Sequence, residues 1–360
     1  MVYNFAAGPA MLPIPVMQRV QEEFLNWKNM GISVIEISHR SKEFEALVDE
    51  TDQLFRQVTG LPDNYEILYC HGGAQMQFSM LPMNLIHRKP AKKALYVETG
   101  NFAKIARVEA EKFGNIKVVA TGVANNYASI PSLEGVELDE DASYLYLTSN
   151  NTLFGTRWDS FPDTGEIPLV VDATSEILGR RMDYSKFGVL FAGTQKNLGP
   201  SGLAMVVARK DLIGHALADC PKLMDYAVYQ KEHSMANTPN TFAIYMIRLV
   251  LEWLRDIGGV DFIEQQNAAK AKLLYDYLDS TDFYRATALP GSRSHMNVCF
   301  HLPSEELLQT FVKEAEKQGL YALKGHRMVG GARASLYNAM PIEGVQALVN
   351  FMREFARTRG

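Results

Sequence analysis

Seven short apolar runs within residues 66–208 constrain this chain more than any other feature. They are EILYC (66–70), ALYVE (94–98), IKVVA (116–120), SYLYL (143–147), IPLVV (167–171), GVLFA (188–192) and GLAMVVA (202–208). Most are continuous rather than alternating, which predicts strands buried on both faces and a mostly parallel sheet between helical layers. Helical patterns lie between several of them. Residues 41–59 begin at Ser41, a candidate N-cap, and repeat Phe44, Leu47, Val48, Leu54, Phe55 and Val58 at helical spacing. Residues 101–113 open on Asn101 as a cap and set Ile105, Val108 and Lys112 near one stripe. Strand–helix alternation on this scale predicts an α/β fold.

The texture changes after residue 240. An apolar helix is expected at 242–256, ending before Gly258-Gly259 and joining two parts rigidly. A helix at 261–280 follows, then a strand at 296–302, a helix from Ser304, a short segment at 320–325, a strand-like stretch at 332–338 and a helix from Glu343. This predicts a smaller α+β unit, with no internal repeat. The 360 residues are 47% hydrophobic and 21% charged with a formal charge of -5, so the chain can bury a large core and has no global pull towards nucleic acid or anionic membrane. No apolar run is long enough to span a bilayer, and the N-terminus MVYNFAAGPAMLPIP lacks a signal-peptide pattern. Cys70, Cys220 and Cys299 have no CxxC spacing, which disfavours a disulfide scaffold and a metal site. A reduced, cytoplasmic protein is expected.

Two residues carry the chemistry. Asp172 ends the run IPLVV, and Lys196 follows the next run, GVLFA, inside a Gly-rich turn. Sites in parallel α/β sheets form outside the carboxyl ends of strands. A lysine held there loses hydration and its amine pKa falls, as a Schiff-base lysine requires. Pyridoxal phosphate needs this pair: the lysine to bind its aldehyde, and a carboxylate to keep its pyridine nitrogen protonated. A phosphate site is expected at HGGAQMQF (71–78), where a strand turns into a helix and exposes backbone N–H groups. The segment is neither GxGxxG nor GxxxxGK[ST], so dinucleotide and Walker A loops are not indicated.

NFAAGPAMLP near the start, AGTQKNLGPSGL around Lys196, NTPNTF at 237–242 and LKGHRMVGGARASLYNAMP near the end together resemble the class V aminotransferases among fold-type I pyridoxal phosphate enzymes. The resemblance covers essentially the whole chain. It implies a seven-stranded, mostly parallel sheet in a large domain over 14–260, and a small domain built from 1–13 with 261–360. It implies pyridoxal 5'-phosphate as an aldimine on Lys196, with Asp172 at the pyridine nitrogen, Thr152 near the ring hydroxyl, Phe102 stacked on the ring, and Ala74, Gln75 and Gln195 at the phosphate. Asn237 and Thr238 would reach the phosphate of a neighbouring subunit, hence a homodimer with shared sites. Arg333 would clamp the α-carboxylate, and His39-Arg40 and His326-Arg327 would take the distal anion, whereas His87-Arg88 reads as a solvated helix end. Many members carry Trp at Phe102 and Arg at Gln75.

The implied reaction is ping-pong transfer of an amino group from glutamate to 3-phosphohydroxypyruvate, giving O-phospho-L-serine and 2-oxoglutarate in serine biosynthesis. A longer phosphorylated keto acid of vitamin B6 synthesis stays open as a further substrate. Alternatives are an alanine–glyoxylate type aminotransferase, a cysteine desulfurase and a non-catalytic binding protein on this fold. Retention of Lys196 and Asp172 disfavours the last. Cys70 and Cys299 lie in strand-like apolar runs, which disfavours the desulfurase.

Overall fold

The computed structural model describes residues 2–360. The apolar runs form seven strands: β1 (Tyr65–His71), β2 (Lys93–Glu98), β3 (Asn115–Thr121), β4 (Ala142–Thr148), β5 (Leu169–Asp172), β6 (Val189–Gly193) and β7 (Leu203–Arg209). They build one sheet in the order β1-β7-β6-β5-β4-β2-β3. β7 pairs antiparallel with β1 and β6, and the other pairings are parallel. Alternate residues of each strand enter different cores. Leu145, Leu147, Val171 and Leu190 face helices α1 (Lys42–Thr59) and α4 (Thr241–Asp256). Tyr144, Tyr146, Val170 and Phe191 face α2 (Ala74–Leu85) and α3 (Asn101–Ala110). Burial on both faces explains why these runs are continuous.

β3 departs from that expectation. It is an edge strand with largely exposed side chains, Val118 among them. Its Lys117 pairs with Asp139, a charge that suits an unpaired edge. Helix α3 departs too. Gly100 is its N-cap, with no side-chain cap from Asn101. Its buried stripe is Ala103, Ala106 and Ala110, while Val108 is exposed and Lys112 lies beyond the helix. Alanine at these positions lets the helix lie close to the sheet, so the larger residues are left outside. The reading of α1 holds: Ser41 accepts from the amide of Phe44, and Gly60 ends the helix in the left-handed region.

The second core gathers Phe5 with residues of α5 (Gly259–Asp279), α6 (Glu305–Lys317), α7 (Ile342–Arg359) and the strands β8 (Arg285–Ala286), β9 (Asn297–His301) and β10 (Ala332–Ser335). Tyr3 and Asn4 pair with Leu320 and Tyr321, which brings the chain start to this unit. Helix α4 lies wholly in the first core and is not the expected joint. The joint is α5, with Val260 and Ile263 in the first core and Ala271, Leu274 and Leu278 in the second. His87-Arg88 also differs from expectation. Arg88 is half-buried and its Nη1 donates to the carbonyl of Ser143 at 2.7 Å, tying a 3-10 turn to the start of β4. No helix among the described residues is long and apolar enough to cross a membrane.

Candidate active site

The carboxyl ends of β4, β5 and β6 open into a cavity of about 280 Å3. Ala74, Gln75, Phe102, Thr152, Asp172, Gln195 and Lys196 all line it. Asp172, the last residue of β5, is 4% exposed, and its Oδ1 accepts from the amide of Thr174 at 3.0 Å. Burial raises the carboxyl pKa, opposed by the Thr174 bond and by the charge of Lys196. Lys196 is 7% exposed, and its Nζ donates to Oγ1 of Thr152 at 2.6 Å. Burial lowers the amine pKa, Asp172 opposes this and Arg333 adds to it. A strand end followed by the turn GTQKN therefore presents a dehydrated amine and a dehydrated carboxylate to one space.

Helix α2 points its start at the same space. Its N-cap is Gly73 and no side chain caps it. Its positive end is thus left to whatever the cavity holds. Gly193 permits the close packing beside it, since a Cβ there would come within 2.6 Å of Gln195 Oε1 and 3.2 Å of the Ala74 amide nitrogen. On the small-domain side, Arg333 projects from β10, half-buried, with no protein partner for Nε. Burial lowers the pKa of both Lys196 and His326, and the charge of Arg333 adds to each. Arg327 is exposed in the adjoining loop.

Seven expected residues are absent from the cavity lining: Arg333, His326 and Arg327 on the small-domain side, and four that lie elsewhere. Arg40 lines a separate groove of about 690 Å3 with Asp49, Lys222 and His233, and His39 precedes it in the chain. Asn237 lies 2.7 Å, Oδ1 to Nε2, from His71 of its own chain, and Thr238 is exposed beside it.

The class V aminotransferase family model matches residues 2–348. This chain belongs to the class V aminotransferase family. The phosphoserine aminotransferase of Bacillus cereus is 48% identical over 354 residues, with 98% of each chain covered. That of Geobacillus kaustophilus is 49% identical over 356 residues, covering 99% of this chain and 98% of the relative. The solved phosphoserine aminotransferase of Bacillus circulans subsp. alkalophilus superposes with a TM-score of 0.97 at 45% identity, covering 100% of this chain and 99% of that one. A pyridoxal phosphate-bound phosphoserine aminotransferase from Trichomonas vaginalis superposes at 0.93 with 36% identity, covering 98% and 100%.

The cofactor of this class V aminotransferase is pyridoxal phosphate, and the cavity fits it. Among the described residues none forms an ion pair with Asp172, so its buried carboxylate is free to meet a cationic ring nitrogen. The uncapped start of α2 suits a phosphate. Several lining residues went unnoticed in the sequence. Thr174 fixes Asp172 and its Oγ1 accepts from the amide of Gly193 at 3.1 Å; its place two residues after an Asp was a usable signal. Thr148, Asn150, Ser175 and Phe78 also line the cavity, and nothing in their spacing marks them. The thiols of Cys70, Cys220 and Cys299 are all raised by burial, and a desulfurase nucleophile would need the opposite.

Proposed function

We propose that this class V aminotransferase moves the amino group of glutamate onto 3-phosphohydroxypyruvate, giving O-phospho-L-serine and 2-oxoglutarate, and that the residues around the cavity divide the work as follows. The observation that carries the reading is the dehydrated Lys196–Asp172 pair facing one cavity beside the uncapped start of α2. Full-length identity of 48% to a phosphoserine aminotransferase supports the substrate pair.

When bound, pyridoxal phosphate supplies an electron sink for the substrate's α-carbon. Lys196 would hold it covalently, Asp172 would hold a proton on its ring nitrogen, and Thr152 would lie by its ring hydroxyl. Phe102 offers a face for the ring. Ala74, Gln75 and Gln195 would hold the phosphate, joined by Asn237 and Thr238 of a second copy. Arg333, charged and with Nε unpartnered, would bind the α-carboxylate. That contact would orient the substrate so that its α-hydrogen faces Lys196 Nζ. The lowered amine pKa leaves that nitrogen neutral often enough to accept the proton and return it.

The distal anion falls to His326-Arg327 and to His39-Arg40. Because Arg40 lines a separate groove, it would serve a neighbour's site. The segment before it exposes Ile14, Met17, Leu25 and Ile35, an apolar face suited to a second copy. We take the two cores that flank the sheet as the large domain and the core around Phe5 as the small one, the two domains meeting along α5.

Single-turnover kinetics with each amino acid tests the reading. Arg333→Ala should impair glutamate and phosphoserine alike, whereas Arg327→Ala should hurt phosphoserine more, because a phosphate needs more donors than a carboxylate. Each lost contact should cost roughly 1.5–3 kcal/mol. Serine reacting as well as phosphoserine in the wild type would overturn the distal-anion site.

A further inference from the structure

Behind the cavity runs a buried line of polar side chains that the proposed reaction does not use. Ser294 Oγ accepts from the amides of Met296 at 3.0 Å and Asn297 at 2.9 Å. Its own proton therefore goes to Oδ1 of Asn150. That fixes the Asn150 carboxamide, so Nδ2 donates to Ser175 Oγ and to Asn297 Oδ1, both at 2.8 Å. Asn297 is then fixed in turn, and its Nδ2 donates to Ser335 Oγ at 3.0 Å and to the Tyr337 hydroxyl at 3.2 Å. Tyr337, having accepted, donates to the carbonyl of Ala7 at 2.8 Å. Backbone amides set one end and a backbone carbonyl the other, so each hydrogen bond between them has one permitted direction.

The line crosses the molecule. Asn150 follows β4 in the first unit, Asn297 opens β9 in the second, and Ala7 belongs to the N-terminal segment. Asn297 is 0% exposed. Its far end closes on the lysine. The Tyr337 ring centroid lies 5.9 Å from Lys196 Nζ. Gly8, next to Ala7, borders the same side chain: a Cβ there would stand at ordinary contact distance, 3.6 Å, from Lys196 Cε. The lysine side chain thus has an aromatic ring and a strip of backbone as neighbours, and one hydroxyl ties these two together.

We propose that Asn297 and Tyr337 are positioning residues for Lys196: their hydrogen bonds clamp the Tyr337 ring and the Ala7–Gly8 backbone around the lysine stem and so hold Nζ where it reacts. The inference rests on Lys196 as the residue that holds the cofactor. A misplaced nucleophile loses rate while ground-state binding survives, so the effect belongs in capture rate and kcat.

The test uses Tyr337→Phe, which removes one oxygen, and Asn297→Leu, which keeps the shape. Borohydride reduction and peptide mapping first locate the cofactor in the wild type. Labelling of a different lysine overturns the functional reading itself. With Lys196 labelled, the rate at which the apoprotein captures added pyridoxal phosphate should fall about tenfold or more in Tyr337→Phe, as should kcat for both amino acids, with KM little changed. Amide hydrogen exchange over residues 6–10 should quicken in the apoprotein. Unchanged capture rate and kcat in a folded Tyr337→Phe overturn the proposal, and so does a rise in KM alone. If Asn297→Leu does not fold, Tyr337→Phe decides.

Discussion

Asp172 and Lys196 are each expensive to bury, and each lowers the other's cost. A carboxylate at 4% exposure and an amine at 7% persist because Thr174, Thr152 and the opposite charge compensate them in part. In the proposed reading, a ligand that supplies a cationic nitrogen and an aldehyde would offset the remaining cost of burial. Asp172→Asn keeps the shape and removes the charge. Turnover should fall by at least ~10²-fold with an unchanged circular dichroism spectrum, and near-normal turnover would show the ring nitrogen is held otherwise. Lys196→Ala should lose at least ~10³-fold and still bind the cofactor without a covalent link, measured by equilibrium dialysis. These two residues were legible because strand ends in parallel sheets are where sites form. Asn297 was not, since its partner Asn150 is 147 positions away and Asn297 alone reads as one more residue of the strand expected at 296–302.

At the scale of elements, the sequence revealed what was buried twice and missed what was buried by smallness. Six of the seven sheet strands follow from apolar runs buried on both faces, while the edge strand β3 is largely exposed. The alanine stripe of α3 was invisible, because alanine is apolar without being large and Ile105 and Val108 drew the stripe to the wrong face. The joint at α5 was missed for a related reason: its buried Lys270 reads as a surface residue. Lys270 Nζ donates to the carbonyls of Leu336, Tyr337 and Met340 at 2.8, 2.9 and 2.9 Å, holding the turn that leads into α7. Burial pushes its pKa down to about 7 from 10.5, against the pull of three carbonyls that only the ammonium can satisfy together. Between those values the unfolded chain holds more protons than the folded one. Stability from this group therefore rises with pH above about 7, by up to about 1.4 kcal/mol per unit, and is lost as pH falls back. Lys270→Met should lose about 3 kcal/mol by stranding three carbonyls. Its urea midpoints at pH 7.5 and 9 should also differ less than those of the wild type. An equal pH slope in both proteins would mean that the amine does not titrate in this window.

For the whole molecule, the decisive fact is that one chain does not assemble the proposed site. Lys196 and Asp172 line one cavity, with the charge of Arg333 near enough to act on the Lys196 amine, while Arg40 lies in another groove with Asp49 and His233. If Arg40 binds substrate, it does so across a two-fold axis, where each copy lends the other the same patch. That geometry can be read by complementation. Arg40→Ala and Lys196→Ala are each purified, unfolded, mixed in equal amounts and refolded. In the mixed dimer, the subunit that keeps Lys196 receives an intact Arg40 from its partner, so one site works. Random pairing makes about half the dimers mixed, with one good site in two, so activity should return to about a quarter of wild type. If Arg40 served its own chain, the subunit with Lys196 would still lack it, and mixing would restore nothing. Activity equal to the average of the two separate mutants would therefore place Arg40 in its own chain's site or outside the reaction. Sedimentation at assay concentration should show the dimer that the recovery requires, and a fully active monomer would remove the basis for sharing.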